Sequence, residues 1–132
     1  MKISKRILII LNCFFVLNFN AQKIIDTIAV KAGVYDIPIK IKLPKNTIGK
    51  SPVYFFVHGG GWNGGDQKEV PPATISGDAN FLVDYLGVIY VGLAYRCKGN
   101  NATFADAIND LEASVKWFMD NSEMFNADVT RI

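Results

Sequence analysis

Apolar and polar positions change their period along the chain, and each change marks an element. The stretch "IPIKIKL" (residues 37–43) alternates with a period of two, which predicts a strand with one buried and one wetted face. Together with the residues from Ile24 it predicts a β-hairpin or two edge strands, turned at Ala32-Gly33. Pro38 cannot donate to a ladder, so it points to an edge position. "PKNTIGKSP" (residues 44–52) reads as a loop. "VYFFV" (53–57) and "VIYVGLA" (88–94) are apolar almost throughout, the pattern of strands covered on both faces of a parallel sheet.

Between those two strands, "DANFLVDYLG" predicts a helix. Asp78 would cap it, Phe81, Leu82, Tyr85 and Leu86 would share one face, and Gly87 would stop it. Strand, helix and strand make a βαβ crossover. The clearest helix follows in "TFADAINDLEASVKWFMDN", where Phe104, Ile108, Leu111, Val115 and Phe118 recur at helical spacing as one apolar stripe. Thr103 with Asp106 resembles a capping box. The expected fold class is α/β: an edge β-hairpin followed by a parallel βαβα unit, with no internal repeat and no linker.

The first 21 residues stand apart from this pattern. Lys2, Lys5 and Arg6 precede the apolar run "ILIILNCFFVLNF" (residues 7–19), and Asn20-Ala21-Gln22 offers a small residue for cleavage. The run is too short to span a bilayer of about 30 Å. Residues 1–21 are therefore expected to be a signal peptide cut near Ala21. The product, residues 22–132, would be exported to the periplasm or the exterior with no stable membrane anchor. Cys13 lies inside the apolar run rather than after it, which argues against a lipoprotein.

Removing the leader changes the charge. The chain has 14 Lys and Arg against 12 Asp and Glu; without the leader's three cations the balance is slightly negative. No nucleic-acid footprint remains, so no nucleic-acid partner is expected. Cys97 is left alone and can form no internal disulfide. One Cys and one His cannot close a zinc site, so neither a metal nor a cofactor is expected.

The candidate chemistry lies in "VYFFVHGGGWNGGD" (residues 53–66). Glycine gives up more backbone freedom on folding than any other residue. Three in a row therefore imply a backbone task that a side chain would obstruct. The spacing Gly59-x-Gly61-x-x-Gly64 is formally a dinucleotide fingerprint, but that motif needs a helix starting at the glycines. Here Pro71-Pro72 and the missing apolar stripe deny one. A plain flexible loop explains the glycines but neither His58 before them nor Trp62 behind them. The third reading is an oxyanion hole, in which bare amides stabilise the oxygen of a carbonyl under nucleophilic attack. Its place at the C-terminal end of a core strand is where open α/β sheets bind ligands. On this reading Gly60 and Gly61 are the donors, Gly59 and Trp62 shape the loop, and His58 supports it by hydrogen bonding to backbone.

"HGGGW" followed by Gly65-Asp66 resembles the oxyanion loop of α/β-hydrolase esterases, the group that includes hormone-sensitive-lipase-like enzymes, carbohydrate esterases and kynurenine formamidases. "YVGLAYR" resembles the next strand with its Tyr-Arg ending. The helix bearing Asp110, Ala113 and Trp117 resembles that group's next helix, and "FNADVTRI" resembles the Asp-x-x-Arg-Ile run entering its nucleophile strand. The resemblance covers about residues 37–132. It implies a serine hydrolase of the carboxylic-ester type acting on a small-molecule ester.

The same resemblance implies a nucleophile elbow, an acid and a histidine further on, and none of these is present. Ser51, Ser76, Ser114 and Ser122 lack elbow context, and His58 lies on the oxyanion loop rather than at the place of the general base. The expectation is therefore the N-terminal part of an α/β-hydrolase, incomplete without downstream strands and inactive by itself. Two alternatives stand beside it: a secreted non-catalytic binding module using an exposed sheet edge, and a peptidase on the same fold. Arg96, Asp110 and Arg131 are expected to hold loops and helix ends, and Asp66 to cap the turn after the glycines.

Overall fold

The computed structural model describes residues 23–63 and 77–132. Strands β1 (Ile24–Ala32) and β2 (Tyr35–Lys42) form the expected antiparallel hairpin. Gly33 makes the turn with φ of +66°, a conformation that side chains other than glycine's resist. Strand β3 (Ser51–Val57) runs parallel to β4 (Ile89–Leu93), and the short β5 (Ala127–Asp128) runs parallel to β3. The five strands form one mixed sheet in the order β1-β2-β4-β3-β5.

Pro38 corrects one expectation. Strand β2 lies between β1 and β4, not at an edge. The proline is tolerated because its pairing with Ile28 falls where the β1–β2 register shifts, and β2 meets β4 only from Ile39 onward. A bulge beside an unpaired stretch is one of the few places where a sheet accepts a residue without an N–H.

Helix α2 (Phe104–Asp120) begins with the expected capping box. The Asp106 amide donates to Thr103 Oγ1 at 3.2 Å and the Thr103 amide donates to Asp106 Oδ2 at 2.7 Å. The helix packs over the hairpin. Ile39, Ile41, Val53, Ile89, Val91, Leu93 and Phe118 form the main core, with Phe125 and Ala127 closing it. Phe118 packs edge-on to Phe55, ring centroids 5.4 Å apart.

The inward line of α2 differs from the expected stripe. Ala107, Asp110, Ser114 and Phe118 are buried, whereas Leu111 and Val115 are only half-buried and Phe104 is exposed. The reason is where the helix lies. Ile108, Leu111 and Val115 face an open apolar groove of about 450 Å³ shared with Phe55, Val57 and Leu93.

Helix α1 (Gly77–Asp84) lies on the other face and also departs from its expected pattern. Val83, not Phe81 or Tyr85, is the fully buried residue, packed with Tyr90 and Phe56. Phe81, Tyr85 and Leu86 are exposed, so the apolar face read from the sequence is not the inward one. Asp78 falls inside the helix rather than ahead of it. Gly87 stops the run with φ of +67°, as expected. Strand β4 is buried at every position, but Tyr54 and Val57 of β3 are exposed. Beyond Pro52, β3 has no strand on its outer side among the described residues, and its outer edge stays open there.

Candidate active site

The glycine loop leaves the C-terminal end of β3. Gly60 and Gly61 take φ of +133° and +59°, and Trp62 follows at +63°. The two glycines are required by these angles; a bulky residue in the left-handed region is a backbone outlier that its surroundings must hold in place. Gly59 needs no such angle, and a Cβ added there would meet nothing within 4 Å among the described residues. Its missing side chain therefore leaves open space above the loop. The second half of the expected motif, Gly64, Gly65 and Asp66, lies outside the described residues, as does Ser76.

Three consecutive carbonyls of the loop are anchored. The Tyr95 hydroxyl donates to the His58 carbonyl at 2.9 Å. His58 Nδ1 lies 2.8 Å from the Gly59 carbonyl; a carbonyl only accepts, so Nδ1 carries the hydrogen. The Asn63 amide donates to the Gly60 carbonyl at 3.2 Å, and the Lys98 amide to that of Trp62 at 3.1 Å. Among the described residues no acceptor takes the amides of Gly60, Gly61 or Trp62.

An aromatic stack holds this arrangement. The His58 ring lies on that of Tyr95, centroids 4.3 Å apart and planes 8° from parallel. The Trp62 ring meets Tyr95 at 4.8 Å and takes the edge of Phe104 at 4.7 Å. His58 Nδ1 thus bonds the loop backbone, and its Nε2 is buried without a partner among the described residues. Tyr95 and Phe104 had no part in the sequence-based site. The signal for Tyr95 was available: a buried phenol just past an apolar strand must find an acceptor for its hydroxyl. Burial, and after it the Cys97 thiol, push the Tyr95 phenol above its ordinary range, so the hydroxyl is a donor at neutral pH.

Behind the stack, Arg96 and Asp110 form the strongest polar contact of the region. Arg96 Nε and NH2 each reach a different carboxylate oxygen at 2.8 Å, and the Arg96 amide adds a third bond at 3.0 Å. These hydrogen bonds hold the guanidinium above its ordinary pKa. Burial raises the Cys97 thiol, keeping it protonated and unreactive. Arg131 bonds Asp128 and the Lys50 carbonyl, far along the chain from the glycine loop. Ser51, Ser114 and Ser122 are buried on other elements, and no cluster of metal-ligating side chains occurs among the described residues. No described helix is long and apolar enough to cross a membrane.

Bare amides at the C-terminal tip of β3, in a sheet of this order, fit the N-terminal part of an α/β-hydrolase sheet. Residues 39–132 match the BD-FAE family, and the chain belongs to it. Similar solved structures include the thermophilic esterase Est2 of the Planctomycetes species Thermogutta terrifontis, at 20% identity and a TM-score of 0.66 over 78% of this chain and 36% of that one. The same esterase phosphorylated by paraoxon gives 20% and 0.65 over 81% and 39%. DphMB1 gives 26% and 0.59 over 81% and 32%. The chain thus spans little more than a third of the length of the esterases it matches. No curated protein matches it.

Proposed function

We propose that this chain supplies the oxyanion-hole half of an exported serine hydrolase that cleaves carboxylic esters of small molecules. One observation carries the reading: among the described residues, the successive amides at Gly60, Gly61 and Trp62 have no acceptor at the end of β3, on a backbone bent by positive φ. A hole of this kind stabilises the tetrahedral oxyanion, each donor contributing about 10²–10³ in rate. Gly60 and Gly61 are the donors. Gly59 leaves room for the carbonyl to approach, Trp62 fixes the exit of the loop, and His58 fixes its start. The nucleophile, acid and base come from a segment following this one. The esterase names of the structural neighbours favour esters over amides.

The test is turnover of p-nitrophenyl acetate by the whole protein to which this segment belongs. Hydrolysis above a heat-denatured control supports the reading, and its absence with the other ester chain lengths contradicts it. Export is tested separately, by N-terminal sequencing of the secreted product, expected to begin just after Ala21.

A further inference from the structure

We infer that Tyr95 is the positioning residue of the glycine loop: it aims the amide of the donor Gly60 by holding the carbonyls of the two successive peptide bonds, 58–59 and 59–60, that lead to it. The inference rests on the ester-hydrolase reading and adds to it a residue outside the glycine motif.

A trans peptide is planar, with its C=O and its N–H pointing opposite ways, and the described chain has no cis bond. The carbonyl of the 58–59 peptide accepts from the Tyr95 hydroxyl at 2.9 Å, so the Gly59 amide points away from Tyr95. The carbonyl of the 59–60 peptide is held by His58 Nδ1 at 2.8 Å, so the Gly60 amide points away from the imidazole. That imidazole lies flat on the Tyr95 ring. One side chain therefore sets both planes, the first through its hydroxyl and the second through the ring that seats His58.

Tyr95 is itself immobilised. It is 2% exposed, the Trp62 ring packs against it, and the next residue, Arg96, is fixed to Asp110 through its backbone and its guanidinium. Glycines alone would leave these peptides free to rotate. A hole works only if its donors are fixed before charge develops, because reorienting them during the reaction cancels the gain.

The test is Tyr95→Phe in the whole hydrolase, which keeps the ring and removes only the hydroxyl. The expected result is a kcat for p-nitrophenyl acetate lower by at least about 10-fold, short of the 10²–10³ for a deleted donor. KM should stay within about two-fold, because the interaction acts on the transition state. The pH profile should keep its shape, since no titrating group of the reaction is touched. A hydroxyl of merely structural value would lower the melting temperature and leave the kcat of the folded enzyme unchanged, and that result overturns the inference. A second reading is independent of turnover: backbone order parameters at Gly59 and Gly60, expected near 0.85 in the parent and below about 0.6 in Tyr95→Phe. Equal rigidity in the two proteins overturns the inference. If the parent hydrolyses no ester, the ester-hydrolase reading falls, and these order parameters decide the role of Tyr95 alone.

Discussion

Arg96 and Asp110 lock the segment after β4 to the middle of α2 by two parallel 2.8 Å bonds and a third from the Arg96 amide. The carboxylate is almost wholly buried while the guanidinium keeps 19% of its surface. Arg96 follows Tyr95 directly in the chain, so the pair joins the helix to the glycine loop through one intervening residue.

Truncating the carboxylate should therefore cost stability and loop order together. Asp110→Ala strips three hydrogen bonds from Arg96 and leaves its guanidinium to the looser Asp106 contact at 3.8 Å, a loss of about 2–4 kcal/mol once its partial access to water is allowed for. For a domain of this size that lowers the melting temperature by about 10 °C or more. A drop under about 3 °C would show the pair to be ornamental.

Acid should loosen the turn that leaves β5. The Asp128 carboxyl is held down at about 2, chiefly by the Thr130 hydroxyl and then by Arg131 and the Thr130 amide. Asp106 is lowered as well, mainly by Thr103. A carboxyl whose folded pKa lies below its unfolded value of 3.8 binds fewer protons when folded. Its stabilisation is complete above about pH 4 and is lost as pH falls through about 2. Thermal melts of the parent and Asp128→Asn should therefore converge between pH 4 and pH 2. A difference that stays constant across that window contradicts the assignment.

The glycines should separate into two kinds. Gly61 has φ of +59°, so Gly61→Ala should destabilise by about 1–2 kcal/mol through backbone strain as well as reduce turnover. Gly59→Ala meets neither strain nor a neighbour among the described residues. Its melting temperature should stay within about 2 °C of the parent while ester turnover falls at least about 10-fold, since a methyl occupies the approach of the substrate carbonyl. Full activity in Gly59→Ala would remove the reason given for that glycine.

By itself the 132-residue chain should hydrolyse no p-nitrophenyl acetate above a denatured control. Its one histidine is committed to the Gly59 carbonyl, and its described serines are buried on other elements. Measurable turnover would mean that a nucleophile within these residues had been overlooked.

Local patterns in the sequence were enough for the hairpin, the all-buried β4, the Thr103–Asp106 box and the stop at Gly87, because each depends on neighbours a few positions apart. Pro38 was misread as an edge marker because the bulge opposite it is a property of the pairing, not of β2 alone. The faces of α1 and α2 were misjudged for a related reason: periodicity shows that an apolar face exists, not which neighbour covers it. On α2 that face borders an open groove, and on α1 Phe81 and Tyr85 stack on each other in solvent. The positive φ at Gly60 and Gly61 and the bond from His58 to the Gly59 carbonyl span only a few positions, so they are local demands. Tyr95 shows only its local half, a buried phenol in need of an acceptor; that acceptor, the His58 carbonyl, lies 37 residues away, and only the parallel pairing of β3 with β4 brings the two together.

The most direct measurement is a crystal structure of the whole protein after reaction with paraoxon, whose phosphoryl oxygen mimics the oxyanion. That oxygen is expected within about 2.7–3.1 Å of the Gly60 and Gly61 amide nitrogens, with the Tyr95–His58 stack unmoved beneath them. A phosphoryl oxygen pointing away from residues 59–62, held by other donors, would contradict it.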